Sequence, residues 1–267
     1  MTSGALLFAF DNDKIKYTEM AAWLAHRIHR HLDIPVSIIT DSDVQDTVFD
    51  QVIKADGLAI NGQRWFTDIE ANVPWRNLGR VDAYRLSPYD HTLVLDVDYV
   101  VASNMLSQLF ELDQDFIAHQ SAYEVTGAPA FDENNYFGKH KMPMSWATVM
   151  CFRRSTHAEM IFDMMKMIRD NWFHYRHLYS LNRSQYRNDI SLSIALNTVH
   201  GHVNRGPAIP WALANLDPNN KITAIGADSF RIEYRNQENK PRWIEITDID
   251  IHVMGKGHLG DIIADTR

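Results

Sequence analysis

Residues 92–101 read TLVLDVDYVV. A run of apolar, partly β-branched residues as short as this predicts a strand buried in the middle of a sheet. Two acidic residues, Asp96 and Asp98, stand at its carboxyl end, and their i, i+2 spacing puts both carboxylates on one side of an extended chain. We therefore expect a buried strand that brings two carboxylates to one edge of a sheet.

The sequence before this strand alternates between strand and helix. ALLFAF (5–10), VSIIT (36–40) and VIK (52–54) are short apolar runs, and helical spacing links the apolar positions between the first two, which are Tyr17, Met20, Ala21, Leu24, Ile28 and Leu32. Such a β-α-β start predicts an α/β fold with a mostly parallel central sheet flanked by helices. Ligands of such folds bind at the carboxyl ends of the strands.

The rest of the chain extends the same pattern. A helix is predicted over 77–86, strands at FIAH (116–119) and WATVMCF (146–152), and helices from Thr156 and around Ile190. The later strand predictions are AIPW (208–211), FRIEY (230–234), RWIEI (242–246) and DIDIHV (248–253). Residues 120–145 read as a long irregular segment, a candidate lid or acceptor wall. No repeat or linker interrupts the chain, so we expect a single domain over residues 1–267.

Composition excludes several classes of protein. The 267 residues are 45% hydrophobic and 22% charged, with a formal charge of −8, which excludes disordered, collagen-like and coiled-coil proteins. The only cysteine, Cys151, cannot form a disulfide within the chain, which favours a reducing compartment. Because no apolar stretch approaches a membrane span and the first apolar run lacks a basic flank, we expect a cytoplasmic protein.

Charge is unevenly distributed along the sequence. Residues 139–187 carry nine positive and three negative side chains, although the whole chain is acidic. This basic block is either a solvated surface or a surface that meets an anionic partner. Both interpretations remain open at this point.

The two aspartates and a late histidine suggest a metal site. Desolvated carboxylates need a partner, and a divalent cation such as Mn²⁺ or Mg²⁺ prefers oxygen ligands and completes its shell with substrate phosphates. His252, in the predicted strand DIDIHV, is an available third ligand. In the alternative interpretation, one aspartate caps a turn and the other pairs with an arginine.

The segment that follows His252 is rich in glycine and basic residues. Gly255, Lys256, Gly257 and His258 are predicted to form a flexible loop. Glycines there would let the backbone and a basic side chain approach a phosphate closely.

The segment RVDAYRLSPYDHTLVLDVDYVV (80–101) resembles GT-A glycosyltransferases, particularly the glycogenin-like retaining family 8. In that family a basic residue on a helix precedes a pattern of the form L-s-x-Y-d-x-x-x-x-l-D-x-D. The order of the other features along the chain also matches the family. These features are the first strand, the D-x-D, the strand WATVMCF, the acidic helix start at Asp189 and the late His252. The resemblance therefore covers most of the chain. It implies a hexosyl- or pentosyltransferase that uses a nucleotide sugar, most simply a UDP-sugar, with residues 1–100 as the donor half and 101–267 as the acceptor half.

The resemblance also implies roles at the reacting centre. Asp96, Asp98 and His252 match the metal ligands of the family, and Asp96 also lies near the donor. Arg80 matches a basic residue near the donor and Asp189 the acidic residue near the transferred sugar, which makes these two the candidate catalytic residues.

Further matches concern the donor nucleotide. Phe10, Asp11 and Tyr17 fall at the base pocket of the family, and Val97 falls between the two metal-binding aspartates. Gly255, Lys256 and His258 fall where the family binds the diphosphate. The family usually continues to Lys-Pro-Trp at the position of His258, whereas this chain does not, so either Lys256 or His258 is the candidate for holding the diphosphate.

Two other functions fit parts of the sequence. LVLDVDYV satisfies the haloacid-dehalogenase-like phosphatase pattern D-x-D-x-[TV], with Asp96 as nucleophile and Asp98 as acid/base, and GDIIAD (260–265) imitates its later motif. A non-catalytic protein that binds nucleotide sugars would keep the same ligands without turnover. A nucleotidyltransferase is disfavoured because the turn after Phe10 is not rich in glycine.

Overall fold

The structure is a computed structural model. It describes residues 1–55, 63–66, 69–76, 78–128, 135–181, 185–236 and 238–265.

A six-stranded sheet lies at the centre of the molecule, with the strand order β3-β2-β1-β6-β12-β8. Its strands are β1 (Ser3–Phe8), β2 (Val36–Thr40), β3 (Gln51–Lys54), β6 (His91–Leu95), β8 (Phe116–His119) and β12 (Trp146–Arg153). The first four strands in this order run parallel, and β12 is antiparallel to both of its neighbours. The prediction of a mostly parallel central sheet is confirmed.

Helices cover this sheet. They are α1 (Tyr17–Leu32), α2 (Ala83–Leu86), α3 (Thr156–Asp170), α4 (Trp172–Leu178), α5 (Asn188–Val199) and α6 (Lys256–Asp265). Helix α1 packs on β1 and β2 through the apolar positions that its sequence spacing predicts, and α5 packs between α3 and β12. Ser155 begins α3, because its hydroxyl accepts a hydrogen bond from the amide of Ala158 at 3.1 Å.

A second sheet, ordered β7-β17-β13-β9, brings distant parts of the chain together. Its strands are β7 (Tyr99–Val100), β9 (Ala122–Glu124), β13 (Leu213–Leu216) and β17 (Ile251–Val253). Between β13 and β17 the chain forms an antiparallel meander of β14 (Lys221–Ile225), β15 (Ser229–Arg235) and β16 (Pro241–Thr247). Two small hairpins complete the described strands: β4 (Gln63–Phe66) with β5 (Ala71–Pro74), and β10 (Tyr136–Phe137) with β11 (Met142–Pro143).

Several local predictions are wrong. The helix predicted over 77–86 is a 3₁₀ helix (Leu78–Asp82) followed by the single turn of α2, and position 77 lies outside the described residues. AIPW is not a strand, since Ala208 makes one bridge to Ala118 and the strand β13 starts only at Leu213. The segment predicted irregular, 120–145, contains β9, β10 and β11, and its positions 129–134 lie outside the described residues.

The predicted flexible loop at 255–258 is also wrong. Helix α6 begins at Lys256 and includes Gly257 and His258. Each glycine inside a helix costs about 1 kcal/mol relative to alanine, but Leu259 and Ile263, one turn apart, are buried and offset that cost. None of the described helices is long and apolar enough to cross a membrane.

Candidate active site

The two aspartates of the D-x-D lie in the turn that connects β6 to β7. Strand β6 ends at Leu95, and the amide of Tyr99 donates to the carbonyl of Asp96 at 3.0 Å, which closes the turn. The predicted extended geometry is therefore wrong, although the turn keeps both carboxylates at the carboxyl end of the strand. The side chain of Asp98 is only 1% exposed, whereas that of Asp96 is 28% exposed.

His252 on β17 completes a cluster of three candidate metal ligands. One ligand atom each from Asp96, Asp98 and His252 lies within 4.8 Å of the others, and Nε2 of His252 is 3.5 Å from Oδ2 of Asp98. Nδ1 of His252 lies 2.9 Å from Oδ1 of Asn215 on the neighbouring strand β13. Because an amide oxygen only accepts, Nδ1 is the donor and Nε2 faces Asp98, an orientation that suits metal binding when Nε2 carries no proton.

Two cations pair with these carboxylates. Arg80 donates through Nη2 to Asp96 and through Nη1 to the carbonyl of Ala147, the latter at 2.7 Å. Lys256, the first residue of α6, donates through Nζ to Oδ2 of Asp98. Burial raises the pKa of Asp96, but the charge and hydrogen bond of Arg80, followed by the charges of Lys256 and His252, bring that pKa below its ordinary value.

The donor set suits a hard divalent cation. Two carboxylates and one imidazole, converging from different strands, match the oxygen-rich coordination that Mn²⁺ and Mg²⁺ accept while keeping sites for substrate oxygens. The structure also realises half of the alternative interpretation, because Asp96 pairs with an arginine. Both functions are compatible, since Arg80 contacts one of the two oxygens of the Asp96 carboxylate.

The cluster faces a cleft that collects most of the predicted site residues. Those among its lining are Phe10, Tyr17, Arg80, Asp96, Val97, Asp98, Asp189, His252 and Lys256. Tyr17 and Phe10 line the cleft together with Phe8, Trp75 and Arg76. The cleft thus combines aromatic side chains suited to a flat ring with charged side chains suited to phosphates.

Three predicted residues lie away from the lining of the cleft. The carboxylate of Asp11 accepts from the amide and the hydroxyl of Thr18, at 2.8 and 2.9 Å, and so fixes the start of α1. Gly255 is buried just before α6, and His258 lies within that helix. Of the two candidates for holding a diphosphate, Lys256 is the one that lines the cleft.

Asp189 lines the cleft from the first turn of α5. Its Oδ1 accepts from the amide of Ala147 at 2.9 Å, and its Oδ2 accepts from Arg187 at 3.1 Å. Sequence reasoning missed Arg187 and Arg76 as cleft residues, since each reads as an ordinary surface charge. The sequence offers one signal for each of these arginines. Arg187 is two residues before the candidate residue Asp189, and Arg76 directly follows Trp75.

Part of the positive charge of the basic block is paired within the protein. Carbonyls and carboxylates of the same chain pair with four of its cations, which are Arg153, Arg154, Arg169 and Arg187. Its aromatic residues Phe137, Trp146 and Tyr186 are buried core residues. Lys139 and Lys141 remain exposed in the turn between β10 and β11, and Arg183 lies outside the described residues.

Comparisons with solved structures give similarity to glycosyltransferases. GlyE from Streptococcus pneumoniae TIGR4 aligns over 79% of this chain and 46% of its own, at 15% identity and a TM-score of 0.43. The galactosyltransferase LgtC, solved with donor and acceptor sugar analogs, aligns over 72% of this chain and 70% of its own, at 14% identity and a TM-score of 0.46. Mouse xyloside xylosyltransferase 1 aligns over 76% and 84%, at 10% identity and a TM-score of 0.45.

No model of a known protein family matches the chain, and no curated protein sequence matches it. The chain spans less than half of the GlyE chain. The three neighbours belong to the class that the sequence resemblance predicted, without assigning the chain to family 8. The function is argued from the site, not from these similarities.

Proposed function

We propose that the protein is a metal-dependent glycosyltransferase that moves a sugar from a nucleotide-sugar donor, a UDP-sugar in the simplest case, to an acceptor. The observation that carries this proposal is the convergence of Asp96, Asp98 and His252 beside Arg80 and Lys256 in one cleft that aromatic side chains also line. These side chains supply the chemistry that a base, a metal-bound diphosphate and a sugar require. Residues 1–100 would supply the donor half and residues 101–267 the acceptor half.

The chemistry follows from where charge develops. When the bond between sugar and diphosphate breaks, negative charge grows on the departing diphosphate. A Mn²⁺ or Mg²⁺ ion held by Asp96, Asp98 and His252 would supply positive charge there. Lys256 and Arg80, already placed beside these ligands, add positive charge that stabilises the same oxygens.

The remaining cleft residues position the donor. The rings of Tyr17 and Phe10 offer apolar faces against which a nucleobase can stack. Asp189 is held by the amide of Ala147 and by Arg187, which fixes its carboxylate for contact with sugar hydroxyls. Positioning of this kind supplies a large part of the rate in group transfer.

Binding measurements test the metal site directly. In calorimetry with Mn²⁺ present, the parent protein is expected to bind UDP, and Asp98→Ala and His252→Ala are each expected to lose this manganese-dependent binding because a ligand is gone. Asp43→Ala, which removes an exposed carboxylate paired with Lys54, is the matched control. Unchanged affinity and unchanged metal dependence in either site variant would mean that the site is wrongly assigned.

A donor screen tests the class of enzyme. With Mn²⁺ present, a glycosyltransferase hydrolyses its preferred nucleotide sugar slowly even without an acceptor, and one nucleotide sugar should be favoured over the others. A non-catalytic binding protein would bind the same donor with no release of nucleoside diphosphate. The screen therefore distinguishes a glycosyltransferase from a non-catalytic binding protein, and it identifies the donor in the same experiment.

The phosphatase alternative predicts a different modification of Asp96. As a nucleophile, Asp96 would form a beryllium fluoride adduct, and an aryl phosphate would be hydrolysed. In the structure, Gly260 and Asp261 of the imitated later motif lie inside α6 instead of opening a helix after a strand, which disfavours this alternative. Trapping at Asp96 would overturn the transferase proposal.

A further inference from the structure

The candidate metal site is charge-balanced by the protein itself. The carboxylates of Asp96 and Asp98 are matched by the guanidinium of Arg80 and the ammonium of Lys256, each in direct contact with one carboxylate. Asp98 is almost fully buried, and burying a carboxylate without a compensating charge is strongly unfavourable. Lys256 therefore stabilises the ligand set in the absence of metal.

The two cations differ in exposure and in the stiffness of their side chains. The Arg80 side chain is only 5% exposed, and a second hydrogen bond to the carbonyl of Ala147 fixes its guanidinium. Lys256 is 16% exposed and projects a flexible four-carbon stem from the first position of α6. Lys256 is thus the cation of the pair that can leave its carboxylate.

Lys256 and a metal ion would use the same ligand atom. Nζ of Lys256 contacts Oδ2 of Asp98, the oxygen that also lies 3.5 Å from Nε2 of His252. Because Oδ2 is the Asp98 oxygen that faces Nε2 of His252, a divalent cation held between these two side chains is expected to bind that oxygen. The metal ion would then lie next to the ammonium of Lys256 and the guanidinium of Arg80. Repulsion between these positive charges weakens the binding of metal in the absence of nucleotide.

A diphosphate removes this penalty. Lys256 lines the cleft, so its ammonium can turn from Asp98 toward phosphate oxygens without leaving the site. The negative charge of the diphosphate also offsets the charge that the metal adds. Metal and nucleotide should therefore each favour the binding of the other, to an equal degree in both directions.

We propose that Lys256 couples metal binding to nucleotide binding: it occupies Asp98 when the site is empty of nucleotide, and it transfers to the diphosphate when metal and nucleotide bind together. This inference rests on the proposed function for the identity of the nucleotide. It concerns a binding equilibrium and not the transfer reaction. A lysine at this position makes the protein a poor binder of Mn²⁺ alone and a good binder of Mn²⁺ with a nucleoside diphosphate.

Manganese titrations followed by electron paramagnetic resonance, with and without UDP, test the proposal. Lys256→Met is expected to bind Mn²⁺ alone about tenfold more tightly than the parent, which corresponds to about 1.4 kcal/mol. The factor by which UDP tightens Mn²⁺ binding is expected to fall by about tenfold or more. Lys256→Arg, which keeps the charge, should retain the weak metal-alone binding of the parent.

The controls separate charge, folding and function. Lys54→Met removes one exposed positive charge remote in sequence from the ligand set and should leave both titrations unchanged. Thermal unfolding of Lys256→Met shows whether the variant is folded, and Lys256→Gln provides a second neutral variant.

Two outcomes would overturn the proposal. In the first, Lys256→Met equals the parent in its affinity for Mn²⁺ without UDP and in the effect of UDP on Mn²⁺ binding. In the second, neither protein binds manganese. Failure of the proposed function alone would look different: Mn²⁺ binding would tighten in Lys256→Met while no nucleotide sugar is hydrolysed or transferred by the parent.

Discussion

Glu124 is a single residue whose ionisation should affect the stability of the fold. Its carboxylate accepts hydrogen bonds from the amide of Asp217 at 3.0 Å, from Asn220 at 3.2 Å and from Thr126 at 3.3 Å. Burial, followed by the nearby charge of Asp217, raises its pKa from 4.5 to about 7 despite these hydrogen bonds. The folded protein therefore holds a proton on Glu124 at pH values where the unfolded chain has released it.

The sign of the pH dependence follows from this raised pKa. The stabilising contribution of Glu124 is complete below pH 4.5, which is the pKa of its carboxyl in the unfolded chain. This contribution is lost as the pH rises through the folded-state pKa of about 7. Glu124→Gln, which mimics the protonated form, should remove this loss and raise the free energy of unfolding at pH 8 by about 1–2 kcal/mol relative to the parent, because solvent screens part of the effect at this partly exposed carboxylate. Urea unfolding at pH 4.5 and pH 8 measures the difference.

The exposed residue Glu233 provides the control for this prediction. Glu233→Gln should leave the pH dependence of the parent nearly unchanged. If Glu124→Gln shows the same pH dependence as the parent, the carboxyl of Glu124 titrates at its ordinary value in the folded protein.

Residue type alone predicts only part of what each aspartate does. Asp96, Asp98 and His252, the three residues predicted as ligands of one metal, lie together in the structure. Asp11, predicted at the base pocket, holds the start of α1 through Thr18. Asp250, two residues before His252, accepts from the amides of Ala102 and Ser103 at 2.8 Å and holds β17 against the chain that follows β7. The backbone partners of Asp250 lie 148 and 147 residues away in sequence, so no local pattern distinguishes this structural aspartate from a metal ligand.

At the scale of elements, Arg27 joins helix α1 to the inserted meander. Its guanidinium donates to the carbonyls of Val101 at 2.6 Å, Gly226 at 3.1 Å and Ala227, and it lies over the rings of Trp23 and Phe230. Burial lowers its pKa to about 10, so it stays charged at neutral pH. One side chain thus connects the first helix, the end of β7 and the turn between β14 and β15.

Arg27→Met should destabilise this junction, because three carbonyls lose their donor while a side chain of similar length remains. A buried group left without its hydrogen bond costs about 1–3 kcal/mol. We expect the free energy of unfolding to fall by about 3 kcal/mol in urea unfolding. Arg30→Met, on the exposed side of the same helix, should change it by less than about 0.5 kcal/mol. Equal effects of the two changes would show that the junction does not depend on Arg27.

Elements were predictable where the hydrophobic pattern was long or continuous. The helices α1 and α3 were found because their buried positions repeat at helical spacing. The strands β2, β6 and β12 and the helix α5 were found because they are continuous, almost fully buried runs. Helix α4 was missed because none of its residues is fully buried, so it has no apolar repeat. Helix α6 was missed because its glycines outweighed the Leu259 and Ile263 pair in the sequence pattern.

For the whole molecule, the outstanding question is which surface meets the acceptor. We propose that the turn between β10 and β11, with Lys139 and Lys141 exposed, is part of a surface that binds an anionic acceptor such as a glycan, a lipopolysaccharide or a nucleic acid. This turn packs against the end of α4, where the amide of Lys139 donates to the carbonyl of Tyr179 at 3.3 Å. The chain as a whole carries −8, so a local basic surface would stand out electrostatically.

Reversing both charges tests this surface. Lys139→Glu with Lys141→Glu should elute from phosphocellulose at lower salt than the parent, while donor hydrolysis stays unchanged, because the cleft is not altered. Lys221→Glu with Lys240→Glu, in the meander, changes the net charge equally and serves as the control. If both double variants elute at the same salt concentration, the basic block is a solvated surface.

The overall architecture was predicted better than the surface. A mostly parallel α/β sheet follows from the order of strands and helices, and the structure confirms it. The number of unpaired charges in the basic block could not be predicted from the sequence. The sequence does not reveal that Arg153 pairs with Asp113 and Arg169 with Asp82. Charges near each other in sequence are therefore a weak guide to charges that share a surface.

The distance along the chain between the members of the metal site has a consequence for protein synthesis. Lys256 follows its partner Asp98 by 158 residues, and His252 comes only just before it. At about 5–20 residues per second, a ribosome needs roughly 8–30 s to cover that interval. During this time a nascent chain carries both carboxylates without the histidine or the lysine, so the candidate site can be completed only after β17 and α6 have been synthesised.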